Sequence, residues 1–486
     1  MCLLLTVLCV MSSVGCAGQS DTSDPITDPS SPTGSDNSSP SAFAVPYSAD
    51  DTLNPYAAVT EVNVNLASLM YSGLFRLDGG FVPQMALVQQ YSQIDATHIQ
   101  VTLSGAVFSD GSPVGIADVL ASYRSARASA NYKVLLDNVI AAQEEKGRIV
   151  FTLRSPDPNA IACLTFPIYK ASTATDAVGQ APLGTGPYVL TYEEDAASLT
   201  ANPHVTSPRY GTIGLRHLPN AEKMFYGLTS GNITYYYNDL NTGDIPRVTG
   251  ASATVDMNAL VFLGINASRE GLSDSTVRRA LSTLVDRKAL AAATYAGWAK
   301  AATAPFHPAW SAMADISGVA DSRDLASAVS LLDSVGYGSG KDRKKLSLEL
   351  IYSNEGAFRT AAAERLRSEF EGAGIQLTVT PLAYAEYQKR LASGQYDLYI
   401  GEIRLAANMD LTPLWQYGVD KNGEAMVAYT QYRAGEKTLA EFCEVFNAQM
   451  PYIPLCWRCG FAAYDRRLAT VTPHGYDPYY GVENWQ

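Results

Sequence analysis

The stretch FSDGSPVGIADVLASY, Phe108–Tyr123, sets a turn and a helix back to back. Asp110 and Gly111 are turn formers, Gly111 because it can take a positive φ. Ser112 and Pro113 stand where a helix entry takes them, and the apolar spacing that follows predicts a helix over Ile116 to about Ala128. Working outward, HIQVTL (His98–Leu103) reads as a strand ahead of the turn and RIVFTL (Arg148–Leu153) as a strand after the helix. The same alternation continues in both directions. FAVPY, Phe43 to Tyr47, is a short strand; Glu61 to Tyr71 has helical spacing and ends at Gly73. APLGTGPYVLTYEED, Ala181 to Asp195, is a turn leading into a strand, with Gly184 and Gly186 permitting the turn and Pro187 stiffening it.

Further along, ALVFLGI (Ala259–Ile265) is apolar throughout, as a strand buried on both faces would be. A helix with Val277, Ala280, Leu281, Leu284 and Val285 on one side follows it. Strands at Leu346 to Tyr352, Ile375 to Pro381 and Tyr396 to Ile400 then alternate with helices at Ala361 to Gly372 and Tyr384 to Ala392. The pattern predicts a mixed α/β chain folded in at least two lobes. Internal repeats and heptads are missing from the sequence.

The chain has 486 residues, 47% hydrophobic and 10% aromatic, enough to bury a large core. A net charge of -13 argues against nucleic-acid binding, which needs clustered Lys and Arg. An acidic exterior suits cationic ligands, but solubility in an exported protein is the plainer explanation. Met1 to Cys16 (MCLLLTVLCVMSSVGC) is an apolar run ending in small residues before a cysteine, and Gly18 to Ser41 is a Ser-, Asp-, Thr- and Pro-rich stretch with almost nothing to bury. Together they predict a signal with a flexible tether behind it. No other segment is long and apolar enough to span a bilayer.

Of the seven cysteines, Cys163, Cys443, Cys456 and Cys459 fall in the body of the chain, too few for a disulfide scaffold. Cys456 and Cys459 form a lone CxxC, which reads as a local disulfide or two packed thiols ahead of a redox or zinc role. The five histidines are scattered without ligand spacing, and no GxSxG, HExxH or P-loop occurs. The expectation is a protein that is not an enzyme and needs no cofactor or resident metal.

Several motifs, in order, resemble the extracellular solute-binding proteins of the oligopeptide, dipeptide and nickel class of ABC importers (family 5). LNPY at Leu53 to Tyr56 and LMYSGLFRLD at Leu69 to Asp78 resemble the family's opening signature, and FSDGSPVGIADVLASY its FxDGxP turn and Asp-Val helix. LGTGPYVL (Leu183 to Leu190), FLGINAS with VRRALSTLVDRKAL (Val277 to Leu290), LLDSVGY (Leu331 to Tyr337) and the Gln395 to Leu398 strand entry complete the series. Asp286 and Arg287 in that fourth motif read as local surface charges beside a helix terminus. Val14, Gly15 and Cys16 resemble a bacterial lipobox, with Cys16 the lipidated residue; Ser13 stands where Leu is usual, and no Lys or Arg precedes the apolar run.

The resemblance implies a periplasmic-binding-protein-like α/β fold of two lobes with a hinge and an extra subdomain. The implied division is 1–16 signal, 17–42 tether, 43–75 and 181–260 lobe I, 76–180 inserted subdomain, 261–468 lobe II and 469–486 a return to lobe I. It also implies a monomer, lipid-anchored outside the cytoplasm, that closes on a peptide or peptide-like ligand and delivers it to ABC permease subunits. A binding protein for a metal-chelator complex, or a peptide-signal sensor component, are the alternatives. Ligands of α/β sheets lie beyond the carboxyl ends of strands, which makes Tyr47, Ser48, Asn266, Tyr352, Asn354, Glu402, Arg404 and Asp410 the candidate contacts. In peptide binders of the family an Asp in the loop after the Tyr396 to Ile400 strand pairs with the ligand's α-amino group. Here that loop, GEIRLAANMD, lacks the usual Trp and offers Glu402 or Asp410 for an amine and Arg404 for a carboxylate. Mutual neutralisation of Glu402 and Arg404 is the plainer alternative.

Overall fold

Two long strands, Ala251–Ile265 and Tyr452–Tyr464, run antiparallel and pair from Ala251↔Tyr464 to Gly264↔Tyr452. They pass between two hydrophobic cores. Val255, Met257 and Ala259 pack with Phe43, Tyr71, Phe108 and Trp485 in the first core, whereas Leu260 to Ile265 pack with Leu281, Ile351, Phe446 and Trp457 in the second. The changeover coincides with an irregularity, since the register shifts between Asp256 and Ala259. The computed structural model describes residues 43–485 apart from 195, 206–207, 241–249, 339 and 421, so the expected signal, Cys16 and tether lie outside the described residues.

Each core is walled by its own sheet. The first has a four-stranded sheet in the order Ala44–Tyr47, Thr212–His217, Ala196–Ala201, Tyr188–Glu193. The second has a seven-stranded mixed sheet in which the crossover strands are followed by Leu398–Arg404, Ser347–Ser353 and Gln376–Leu382. A further four-stranded antiparallel sheet, Val88–Asp95, His98–Leu103, Arg148–Leu153 and Val139–Glu145, packs its inner face into the first core through Ile99, Val101, Ile149 and Phe151.

The Phe108–Tyr123 stretch shows why its residues are needed. Gly111 has φ +82°, and the Asp110 carboxylate accepts from the Ser112 N–H at 3.0 Å and pairs with Lys170 at 2.6 Å. The helix is Ile116–Ala128; Asp118 in its first turn accepts from the Gly115 N–H at 3.0 Å and from the Ala171 N–H at 2.9 Å. The Ser109 N–H donates to the Gly184 carbonyl at 3.1 Å, which joins this turn to the LGTGPYVL turn. In that second turn the glycines are required by close approach: a Cβ on Gly186 would lie 2.4 Å from the Met70 carbonyl carbon.

Two expectations are corrected. Glu61 to Tyr71 is two short helices, Glu61–Asn65 and Ala67–Met70, broken at Leu66. Arg287 is not a surface charge: it is 1% exposed and donates to the carbonyls of Pro454 at 2.8 Å, Ser282 at 3.0 Å and Ala320 at 3.1 Å. Three carbonyls gathered on one guanidinium compensate its loss of water. Asp286 caps the start of the helix Arg287–Thr294 by accepting from the Ala289 N–H at 2.9 Å.

At the second core His307 is fully buried, with its ring against Trp457 at 5.0 Å and its Nδ1 accepting from the Ala309 N–H at 3.0 Å. Burial pushes its pKa down to about 4. An unfolded chain protonates this imidazole near pH 6.5 and the folded chain only near 4, so the unfolded state binds more protons between those values. Stability therefore falls as the pH drops through that window. His307 is expected to take away about 2 kcal/mol between pH 7 and pH 5, and His307→Gln to remove most of that loss, as urea unfolding at the two pH values will measure.

Candidate functional site

A cavity of about 690 Å³ opens between residues of the first core and the end of the strand Leu398–Arg404. Its walls come from Val64 to Leu77, Asn131 to Leu135, the Thr185 turn, Arg404 to Ala407, and the C-terminal segment His474 to Tyr479. The size is that of a pocket for a small organic ligand. Apolar and aromatic surface dominates, interrupted by a few charges.

Those charges are unequally compensated. The Arg76 guanidinium donates to Asp477 at 3.0 Å and to Glu483 at 3.4 Å and lies 4.5 Å from the centre of the Tyr480 ring. His474 is buried against Tyr480, and burial holds its pKa below the ordinary imidazole value, so it is neutral at pH 7. Arg404 differs from both. It is exposed, one of its nitrogens donates to the Gly475 carbonyl, its guanidinium carbon lies 5.8 Å from the Tyr476 ring centre, and among the described residues no carboxylate forms an ion pair with it.

Glu402, two residues earlier, does not neutralise Arg404. Its carboxylate pairs with Arg458 at 2.6 Å and Arg359 at 3.3 Å. Glu61 contributes at longer range: the walls around it and the Asp239 carboxylate push its pKa up, against the pull of Arg404. Because the Glu61 surface stays open to water, that push is weaker than full burial would give.

The other candidates lie elsewhere. Tyr47 packs its ring against His217, and the Ser48 N–H is held by the Asn63 side chain at 2.9 Å. Tyr352 is buried in the second core, and Asn354 is exposed with its N–H on the Leu382 carbonyl at 2.9 Å. Asn266 donates to the carbonyls of Gly394 at 3.2 Å and Tyr396 at 3.1 Å. Its distance from Arg404 has a plain cause: the strands pair antiparallel, Ala259↔Arg404 and Ile265↔Leu398, so the end of one strand lies beside the start of the other. Asp410 accepts from Tyr429 at 2.8 Å and Arg433 at 2.7 Å, and Arg433 also pairs with the fully buried Asp157 at 3.3 Å. None of these lines the cavity.

The wall residues Arg76, His474, Tyr476 and Asp477 escaped the strand-end argument because they belong to a short strand and to the irregular C-terminal segment. The clustering of aromatic and acidic residues in HGYDPYYGVEN was the available signal. Cys456 and Cys459 are free, buried thiols on one strand, with Cys459 pushed up to about 12 by burial, so both stay protonated at pH 7. Among the described residues no group of three His, Cys, Asp or Glu is placed to hold a metal, and no helix is long and apolar enough to cross a membrane.

The model of the bacterial extracellular solute-binding proteins, family 5 Middle, matches residues 80–424. The chain belongs to this family. Family 5 proteins serve ABC importers as extracytoplasmic substrate-binding components. Protein XP55 of Streptomyces lividans is 26% identical over 374 residues, spanning 71% of this chain and 67% of that one. The murein tripeptide binding protein MppA, in its unliganded open form, superimposes with a TM-score of 0.75 at 15% identity, over 90% of this chain and 95% of its own. NikA from Brucella suis in complex with Fe(III)-EDTA gives 0.68 at 18% identity, over 92% and 99%. These structural likenesses establish the two-lobed fold of this family 5 protein.

The contrast between the compensated and uncompensated charges is measurable. Asp410→Ala, which strips Arg433 of a partner, is expected to cost about 1–3 kcal/mol of stability, whereas Arg404→Ala should change it by less than about 0.5 kcal/mol. Urea unfolding midpoints of the two variants check this.

Proposed function

We propose that this family 5 protein is the lipid-anchored receptor of an ABC importer, capturing a short peptide or peptide-like solute that carries a carboxylate and delivering it to the membrane permease. The observation that carries the reading is Arg404, a guanidinium on a cavity wall without a carboxylate partner among the described residues. A fork of N–H donors matches a carboxylate. Apolar walls of Tyr71, Phe75 and Tyr132 supply the remaining contact surface. A ligand that touches Arg404 on one side and the first-core walls on the other stabilises the closed arrangement by those joint contacts.

Anchoring through Cys16 and the tether behind it keeps a monomeric receptor within reach of the permease. A carboxylate-bearing metal chelate presents the same anion to Arg404 and is the second reading.

The test is to purify the protein, unfold it and identify the small molecules released by mass spectrometry. The expected result is short peptides or peptide-like carboxylates that raise the melting temperature of the stripped protein. Arg404→Ala should weaken their binding at least about tenfold, close to 1.4 kcal/mol. Release of a metal chelate selects the second reading. An empty protein that no peptide pool stabilises contradicts the peptide assignment.

A further inference from the structure

We infer that Asn258 and Tyr476 are positioning residues for Arg404, fixing the cavity's guanidinium to the irregular step of the first crossover strand. The inference deepens the reading of Arg404 as the ligand's anchor and rests on it.

Asn258 sits at the changeover between the two cores, fully buried, with φ +52°. A left-handed backbone favours glycine, and although asparagine tolerates it better than most residues, burying its amide away from water adds a cost. Glycine would satisfy the backbone more cheaply. The Asn258 side chain must therefore contribute something that glycine lacks. Its Nδ2 donates to the Tyr476 hydroxyl at 2.6 Å and lies 3.2 Å from the Met409 sulfur, while its Oδ1 has no partner.

The Tyr476 hydroxyl in turn donates to the Leu405 carbonyl at 2.8 Å, and the Leu405 N–H returns a bond to the Asn258 carbonyl at 3.0 Å. Burial pushes the Tyr476 phenol up to about 12, so it keeps the proton it donates. Next to Tyr476, the Gly475 N–H donates to the Asp256 carbonyl at 2.9 Å, and a Cβ on Gly475 would stand 2.6 Å from that same oxygen. The Gly475 carbonyl accepts from Arg404, whose guanidinium faces the Tyr476 ring.

The bonds form a closed circuit. Asp256 and Asn258 hold Gly475 and Tyr476; these hold Arg404 and Leu405; Leu405 returns to Asn258. Arg404, Leu405, Gly475 and Tyr476 all line the cavity. The segments are far apart in sequence, and the amide and the phenol are the side chains that join them. Removing either takes away a side-chain bond that fixes Tyr476, and with it the neighbouring Gly475 carbonyl to which Arg404 donates, leaving the Gly475 N–H bond to Asp256 as the backbone tie.

The experiment follows modification of Arg404 by phenylglyoxal, read by peptide mass spectrometry, in the full chain stripped of co-purified solute. Arg467, exposed and paired with Asp465 at 2.7 Å, serves as the internal control. Tyr476→Phe keeps the ring and loses the hydroxyl; Asn258→Gly keeps the backbone conformation and loses the amide. Each is expected to raise the Arg404 rate about two- to tenfold, the range that one lost hydrogen bond gives, with Arg467 unchanged. The double variant should match the singles, because both act through one link. An unchanged Arg404 rate in Tyr476→Phe, or equal acceleration of Arg404 and Arg467, overturns the inference. The probe needs no ligand, so a protein in which Arg404 is held as described yet binds no carboxylate would remove the anchoring role and leave the positioning role standing.

Discussion

The hydrogen-bond ladder between Ala251–Ile265 and Tyr452–Tyr464 carries the architecture, because it is the structure the two cores share. A pair of extended strands can run from one core into another without exposing their backbone groups, since each strand satisfies the other along its length. That requirement explains the near-complete burial of Tyr452–Tyr464, where apolar residues stand on both faces. It also explains why the irregular step at Asp256 to Ala259 sits at the changeover. A ladder that was regular throughout would twist uniformly, whereas extra residues bend it locally, and two of the segments bonded to that step, Arg404–Leu405 and Gly475–Tyr476, line the cavity.

Charge placement follows from what burial costs. Arg287 and Arg458 are buried and Arg433 is half-buried, and each is held by carbonyls, carboxylates or both, as a desolvated cation requires. Such groups specify the fold and are already committed. Arg404 is exposed on the cavity wall and gives one nitrogen to a carbonyl. The distinction separates ionic groups that build the protein from a guanidinium that no carboxylate pairs with among the described residues, whereas Glu402 and Asp410, charged and close in sequence, are paired with Arg458, Arg359 and Arg433.

Much of the fold was legible from local pattern. The helix Ile116–Ala128 and the strands His98–Leu103 and Arg148–Leu153 fall where turn chemistry and periodicity put them, because neighbouring residues decide those elements. The strand Tyr452–Tyr464 was not legible: buried on both faces, with Cys456, Arg458 and Cys459 along it, it has neither alternation nor a continuous aliphatic run. The first crossover strand was read only over its aliphatic half, although its other half, ASATVDMN, alternates apolar and polar residues with the period of two that marks a strand. Arg404 was reachable because it ends a recognisable strand. Tyr476 and Asn258 were not, since what gives them meaning is a 2.6 Å contact between residues more than two hundred positions apart. The strand-end rule presumes parallel neighbours, and the antiparallel neighbour here puts Asn266 at the opposite end from Arg404, away from the cavity wall.

A solute that holds together the two lobes joined by the crossover strands fixes the distance between them. Pulsed electron spin resonance between spin-labelled non-natural side chains at Ser92 and Arg367, on the outer sheet and on the helix Ala357–Glu371, measures it directly. With the co-purified solute bound, one narrow distance distribution is expected. Stripping the solute should broaden and lengthen it, and returning the extract should restore it. A distribution that stays the same with and without solute would mean that the solute does not hold the lobes together.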